Sequence, residues 1–247
     1  MEKQNTDNMT PAGESRGGKR NVAVVLAGGT GSRMGGDTPK QFFEVRGKTL
    51  LEYSVEAFVQ NPRIDEIVIV SHKDYKNRVL SLVQKNGWKK IADILEGGKE
   101  RYDSSLAAIR RYEAEEVNLI FHDAARPLVS QRIINDVVET LKMAKACGVA
   151  IASVDTILVC NDRRLRSVPD RKTMYRAQTP QAFDIAAIKS AYDIGLKDPS
   201  FSATDDCGIL LRYRPDLPIQ IVEGEEANLK VTYKDDLRML ELYLDRQ

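Results

Sequence analysis

The chain has 247 residues, 42% hydrophobic and 30% charged, with 37 Lys and Arg against 36 Asp and Glu. That length suits one α/β domain with a substantial core, and the composition excludes a wholly disordered chain. A net charge of +1 gives no global attraction to nucleic acid or a membrane surface, so any polyanion must be held by locally placed cations.

Residues 1–20 are polar and lack the apolar centre of a signal peptide, so they are expected to be a disordered leader before a single domain over 21–247. Val22 to Leu26 is a run of buried-strand residues that breaks into Ala27-Gly28-Gly29-Thr30-Gly31. Glycines let a ligand approach the backbone closely. A strand running into such a loop points consecutive N–H groups into one concavity, which suits phosphate. Arg33 and Lys40 add two cations to the same loop, enough for a triphosphate. The dinucleotide fingerprint fails because Met34 stands where its third glycine is needed, and a Walker loop fails at Asp37-Thr38.

Leu50, Leu51, Val55, Phe58 and Val59 recur at helical spacing, and Ile67 to Val70 is a fully apolar strand with His72 at its end. A second βα unit ends in a strand over Ile91 to Leu95. Glu96-Gly97-Gly98 is another glycine break opening a helix, where Ser104 can either cap the helix or bond a ligand. Val117 to Phe121 is the next strand and leads into His122-Asp123-Ala124-Ala125-Arg126-Pro127. An aspartate at the carboxyl end of a buried strand lies where open α/β sheets bind ligands. Beside a triphosphate its chemistry is to handle Mg²⁺, directly or through water.

Gln131 to Lys145 is expected as an amphipathic helix. Strands are expected over Val149 to Val154 and Asp155 to Cys160, with a turn at Asn161-Asp162 and a return over Leu165 to Val168. This makes a polar, projecting hairpin, and an isolated hairpin calls for a partner surface. Beyond Ala177-Gln178-Thr179-Pro180-Gln181 come helices over Asp184 to Ile194 and Asp205 to Arg212, a strand over Ile219 to Val222, the run Asn228-Leu229-Lys230-Val231-Thr232, and a closing helix over Lys234 to Tyr243. Alternating strands and helices predict a Rossmann-like α/β sandwich with a mainly parallel sheet, its loops along one edge. Cys147, Cys160 and Cys207 are odd in number and widely spaced, as expected of reduced thiols in a cytoplasmic protein. No stretch approaches the ~18 apolar residues of a membrane span.

Several runs together carry a family resemblance. Ala27-Gly28-Gly29-x-Gly31-x-Arg33-Met34, Pro39-Lys40-Gln41, the 122–127 block, Ala177 to Gln181 and Asn228-x-Lys230-Val231-Thr232 resemble the cytidylyltransferases that act on 2-C-methyl-D-erythritol 4-phosphate and on ribitol 5-phosphate. The resemblance extends from about Asn21 to the C-terminus. It implies transfer of CMP from CTP to a polyol phosphate, releasing pyrophosphate, with Mg²⁺ as cofactor. By motif position, Arg33 and Lys40 would stabilise the transition state, Arg171 and Lys230 would grip the acceptor phosphate, and Asp123 would hold the metal. Ala27, Gly28, Gly29, Gly98 and Ser104 would surround the nucleotide, with Arg126, Thr156, Thr179 and Thr204 as further ligand-side groups. Residues 155–176 would form an arm clasping a second subunit of a homodimer, and Arg171 on that arm would serve the partner's site.

The 122–127 and 176–180 blocks lean toward the erythritol acceptor. Leu26 to Gly29 and Ser153 to Ile157 lean toward ribitol, which stands as the alternative. Thr204 to Gly208 fits neither pattern neatly. A different class, a nucleotide-binding subunit without turnover, is opposed by the presence of Arg33, Lys40, Asp123 and Lys230.

Overall fold

A computed structural model of the chain describes residues 18–29 and 38–246. Arg33 and residues 1–17 of the expected leader lie outside the described residues. Among the described residues the strands are β1 (Arg20–Ala27), β2 (Glu44–Val45), β3 (Lys48–Thr49), β4 (Glu66–Ser71), β5 (Ile91–Glu96), β6 (Val117–Asp123), β7 (Ala146–Ala152), β8 (Val159–Asn161), β9 (Arg164–Ser167), β10 (Tyr175–Asp184) and β11 (Gln220–Glu223). The helices are α1 (Leu50–Gln60), α2 (Lys76–Asn86), α3 (Arg101–Tyr112), α4 (Gln131–Thr140), α5 (Ile185–Gly195), α6 (Asp206–Tyr213) and α7 (Lys234–Leu244).

Seven strands form one sheet in the order β11-β7-β10-β6-β1-β4-β5, parallel except for β10, which is antiparallel to both neighbours. The two-residue period of β1 explains how the sheet is covered. Ala23, Val25 and Ala27 pack toward α1, α2 and α4, whereas Val22, Val24 and Leu26 pack toward α3, α5 and α6. The result is a helix–sheet–helix sandwich, as the alternating pattern predicts. A third cluster, Val45, Leu50, Leu128, Val231 and Leu240, seats α7 and the small β2–β3 ribbon beside the carboxyl edge.

Several boundaries, and the surface of one hairpin, differ from the sequence reading; β7 spans Ala146–Ala152 where a strand over 149–154 was expected. Arg20 opens β1, and Lys19 bonds Asp184 at 2.7 Å, so both belong to the fold rather than the leader. The 131–145 helix stops at Thr140, because successive i to i+3 bonds from Lys142 to Glu139 and Met143 to Thr140 tighten the chain so that it can enter β7 at Ala146. Residues 155–158 are not strand. The hairpin β8–β9 does project, turning at Asp162-Arg163 with both φ angles positive, but it carries exposed Leu158, Val159, Leu165 and Val168 and so is less polar than expected.

Candidate active site

Strand order reverses around β1: β4 and β5 lie on one side and β6 on the other. Open α/β sheets bind ligands at such a switch point, outside the carboxyl ends of the strands. A cleft of about 360 Å³ lies there, lined by Ala27, Gly28, Gly29, Lys40, Gln41, Gly98, Lys99, Glu100, Arg101, Ser104, Asp123, Ala124, Ala125, Lys230 and Thr232, with Leu26 at its base. A larger hollow of about 1070 Å³ occupies the opposite edge. Its cations Lys19 and Lys145 are both paired with Asp184, and Arg63 with Glu139, so it has size without committed chemistry.

The floor of the cleft is built from absent side chains. A Cβ on Gly97 would lie 2.5 Å from Ser104 Oγ, and one on Gly28 would lie 3.1 Å from the same atom. Those glycines therefore make room for the Ser104 hydroxyl between two chain turns. Ser104 does not cap α3: Glu100 is the cap residue, and its N–H donates to Asp103 Oδ2 at 2.9 Å. That leaves the Ser104 hydroxyl on the cleft side.

Pro39-Lys40-Gln41-Phe42 forms a single tight turn whose residues face different ways. Phe42 is buried beneath the Arg78 guanidinium, 4.3 Å from the ring centroid. Gln41 donates to the Ala27 carbonyl at 2.7 Å, fixing the end of β1, and Lys40 reaches the Val231 carbonyl at 3.1 Å. The 228–232 run divides in the same way. Asn228 and Val231 are fully buried, Asn228 donating to the Thr179 carbonyl at 2.9 Å, while Lys230 extends to Asp123 Oδ2 at 2.7 Å.

Asp123 is the electrostatic centre of the cleft. Burial opposes its ionisation, but the charges of Arg101 and Lys230 and the Lys230 bond outweigh burial and hold the carboxyl well below the usual range. Arg101 Nε stands 3.5 Å from Asp123 Oδ1, and its Nη1 bonds Asp206 Oδ2 at 2.7 Å. Burial would lower the Arg101 pKa, but Asp206 and Asp123 together raise it. The sequence reading gave Arg101 no role. Its position at the first turn of α3, facing a strand-end aspartate, was the available signal.

The Gln178–Gln181 run lies behind this centre and ties three loops together. Gln178 donates to the Glu225 carbonyl at 2.8 Å and accepts from Asn228 at 3.2 Å. Thr179 Oγ1 accepts the Asp123 N–H at 3.1 Å and lies 3.0 Å from His122 Nδ1. Gln181 donates to Asp205 Oδ2 at 2.8 Å and accepts the Asp206 N–H at 3.0 Å. His122 is fully buried, and its Nε2 lies 3.0 Å from the Arg126 carbonyl. Because the Arg126 carbonyl can only accept, the neutral ring carries its proton on Nε2, and Nδ1 accepts the Thr179 hydroxyl proton. Burial pushes the imidazole down to about 4, so it is neutral.

The sequence-assigned residues therefore separate. Ala27, Gly28, Gly29, Lys40, Gly98, Ser104, Asp123 and Lys230 meet at the cleft. Thr179 and Arg126 do not line it. Thr179 is buried behind Asp123, and the Arg126 guanidinium donates to the carbonyls of Asn228 at 2.8 Å and Ala177 at 3.2 Å, bracing loops. Arg171, Thr156 and Thr204 also lie off it, all exposed, with Arg171 donating to the Val154 carbonyl at the root of the arm at 3.1 Å. No helix among the described residues is long and apolar enough to cross a membrane.

Residues 21–246 match the family model for 2-C-methyl-D-erythritol 4-phosphate cytidylyltransferase. The chain is 43% identical over 232 residues to the protein of that name from Thermobifida fusca, covering 91% of this chain and 93% of the relative. It is 42% identical over 222 residues to a bifunctional ribulose 5-phosphate reductase/CDP-ribitol pyrophosphorylase from Haemophilus influenzae, covering 88% of this chain and 47% of that one. Among solved structures, 4-diphosphocytidyl-2C-methyl-D-erythritol synthase from Anaerococcus prevotii superposes with a TM-score of 0.81 at 27% identity, over 92% of this chain and 96% of that one.

Proposed function

The chain belongs to the 2-C-methyl-D-erythritol 4-phosphate cytidylyltransferase family, and we propose that it transfers CMP from CTP to the phosphate of that acceptor, releasing pyrophosphate. The observation that carries the reading is the meeting of Lys40, Lys230 and Asp123 over the glycine floor at the switch point of the sheet. An oxygen of the acceptor phosphate attacks the α-phosphorus of CTP. A new P–O bond forms, the bond from the α-phosphorus to the bridging oxygen breaks, and pyrophosphate leaves with that oxygen.

A phosphate monoester is already ionised at neutral pH, so the step needs no nucleophile-activating base. Catalysis is then positioning plus neutralisation of charge at phosphorus. Lys40, braced on the Val231 carbonyl, opposes charge at the α-phosphate, and Lys230 steadies the acceptor phosphate. The 97–104 turn and Ser104 face the nucleotide.

Asp123 would hold Mg²⁺ jointly with the triphosphate. Asp123 is a carboxylate of the cleft held firmly ionised, and no cluster of three metal-ligating side chains occurs among the described residues. That donor set fits Mg²⁺, which takes one or two carboxylates together with substrate phosphates and water. When bound, the cation supplies charge neutralisation on the phosphates.

We further propose a cytoplasmic homodimer. The exposed Leu158, Val159, Leu165 and Val168 of the arm support a partner surface, and Arg171 and Thr156, exposed on the arm and off their own cleft, would complete the partner's site. The similarity to the Haemophilus influenzae protein keeps ribitol 5-phosphate as the second acceptor to test.

The test measures pyrophosphate release with each nucleoside triphosphate and both acceptors. CTP should exceed ATP, GTP and UTP by at least about tenfold, or ~1.4 kcal/mol. 2-C-methyl-D-erythritol 4-phosphate should give the higher kcat/KM. Equal use of UTP would overturn the cytidylyl reading, and a preference of more than about tenfold for ribitol 5-phosphate would overturn the acceptor.

A further inference from the structure

The Thr204–Gly208 run, which fits neither acceptor pattern in sequence, supplies the element that divides Arg101. Asp206 is the first residue of α6 and fully buried. Three groups converge on it. Its N–H is fixed by Gln181 Oε1 at 3.0 Å, its Oδ1 accepts the Tyr192 hydroxyl at 2.7 Å, and its Oδ2 accepts Arg101 Nη1 at 2.7 Å. The Arg101 guanidinium is consequently drawn toward α6 and reaches Asp123 only at 3.5 Å, through Nε.

We propose that Asp206 is a positioning residue for the reaction: acting through Arg101, it leaves Asp123 Oδ1, the oxygen that Lys230 does not hold, available to a divalent cation arriving on the triphosphate. The inference rests on the CTP reading above. Two carboxylates, Asp123 and Asp206, face two cations, Arg101 and Lys230, so this quartet is neutral (2 − 2 = 0). Removing the charge of Asp206 leaves it at +1 and lets Arg101 turn fully onto Asp123. Arg126, which also acts on Asp123, adds to the positive side. A more positive pocket binds metal-free CTP at least as well, because CTP is a polyanion. It loses affinity for the divalent cation that shares Asp123. A residue serving only to hold α6 in place would weaken both binding modes alike.

The experiment titrates the full chain with CTP calorimetrically, once in EDTA and once in MgCl₂. In Asp206→Asn the dissociation constant in EDTA should stay within about twofold of native or become tighter, while the gain on adding Mg²⁺ should shrink at least about fivefold. Tyr192→Phe keeps the Asp206 charge but removes its 2.7 Å hydroxyl bond, and should give a smaller shift in the same direction. An unchanged Mg²⁺ gain in Asp206→Asn, or equal weakening in both buffers, overturns the inference. If thermal melting shows that Asp206→Asn does not fold, Tyr192→Phe decides alone, and an unchanged gain there overturns it. A native chain that binds no CTP overturns the cytidylyl reading and this inference with it. A native chain whose Mg²⁺ gain survives both substitutions overturns the inference alone.

Discussion

Lowering the pH from 7 to 5 should cost the fold about 2 kcal/mol through His122 alone. The ring is fully buried against Phe58, at 5.2 Å between centroids, and both nitrogens are engaged. Burial pushes its pKa down to about 4, from an ordinary value of 6.5. Between those values the unfolded chain takes up a proton that the folded chain refuses. Stability from this source is therefore complete above pH 6.5, falls by about 1.4 kcal/mol per pH unit below it, and levels off near pH 4. The full loss over 6.5 − 4 = 2.5 units is about 3 kcal/mol, of which about 2 kcal/mol is gone by pH 5. Asp123, Asp184 and Glu52, all held low, lose their contributions only as the pH falls through the ordinary carboxylate range, further down. The assay is urea unfolding at pH 7, 6 and 5 for the native chain and for His122→Asn, which cannot titrate. The variant is less stable at pH 7, but the gap should narrow by about 2 kcal/mol at pH 5. Parallel curves would refute a neutral, buried His122 and, with it, the hydrogen-bond chain that anchors the Asp123 N–H.

Two other outcomes follow from the site. On the proposed homodimer, mixing Lys40→Ala with Arg171→Ala chains, each of low activity alone, should restore about a quarter of native turnover, because half the dimers would be mixed and each would hold one intact site; no recovery after subunit exchange would refute the proposed role of the arm in the partner's site. Gly97→Ala would place a methyl 2.5 Å from Ser104 Oγ, so calorimetry should show CTP affinity reduced about tenfold, alongside a stability loss of about 1–3 kcal/mol; native affinity would mean that the glycine floor does not set the nucleotide's seat.

The parts of the site legible in the sequence were those whose roles are local. A strand ending in glycines, or an aspartate at a strand end, announces itself within a few residues. Lys230 was legible only through the family run Asn228-x-Lys230-Val231-Thr232; the structure adds that Asn228 and Val231 beside it are buried and leave the lysine to the cleft. Arg101 and Asp206 were not legible as a pair, since 105 positions separate them and only the packing of α3 against α5 and α6 brings them together. Thr179 shows a role that the sequence did not signal. The run around it identifies the family, yet its hydroxyl bonds the Asp123 N–H from behind, so a family marker proved to be a fastening between loops. The premature end of α4 depended on where β7 had to start, which no local periodicity encodes.

The reversed direction of β10 decides where the chain comes and goes. Every other strand of the main sheet delivers its last residues to the carboxyl edge, whereas β10 enters there, pairing Gln181 with Phe121 and Asp184 with Asn118 as it runs away from the cleft. Its first residues, Tyr175 to Ala177, still pair with Ala152 to Ala150 of β7, so the arm is a detour between two neighbouring strands that leaves and returns at the same rim. Had β10 run parallel, the chain would have entered at the far rim, and a strand of its length would have placed the returning arm about 30 Å from Asp123. One antiparallel strand thus allows a single uninterrupted segment, 153–181, to reach outward as a hairpin and then fasten the loops of the cleft within a few residues of its return.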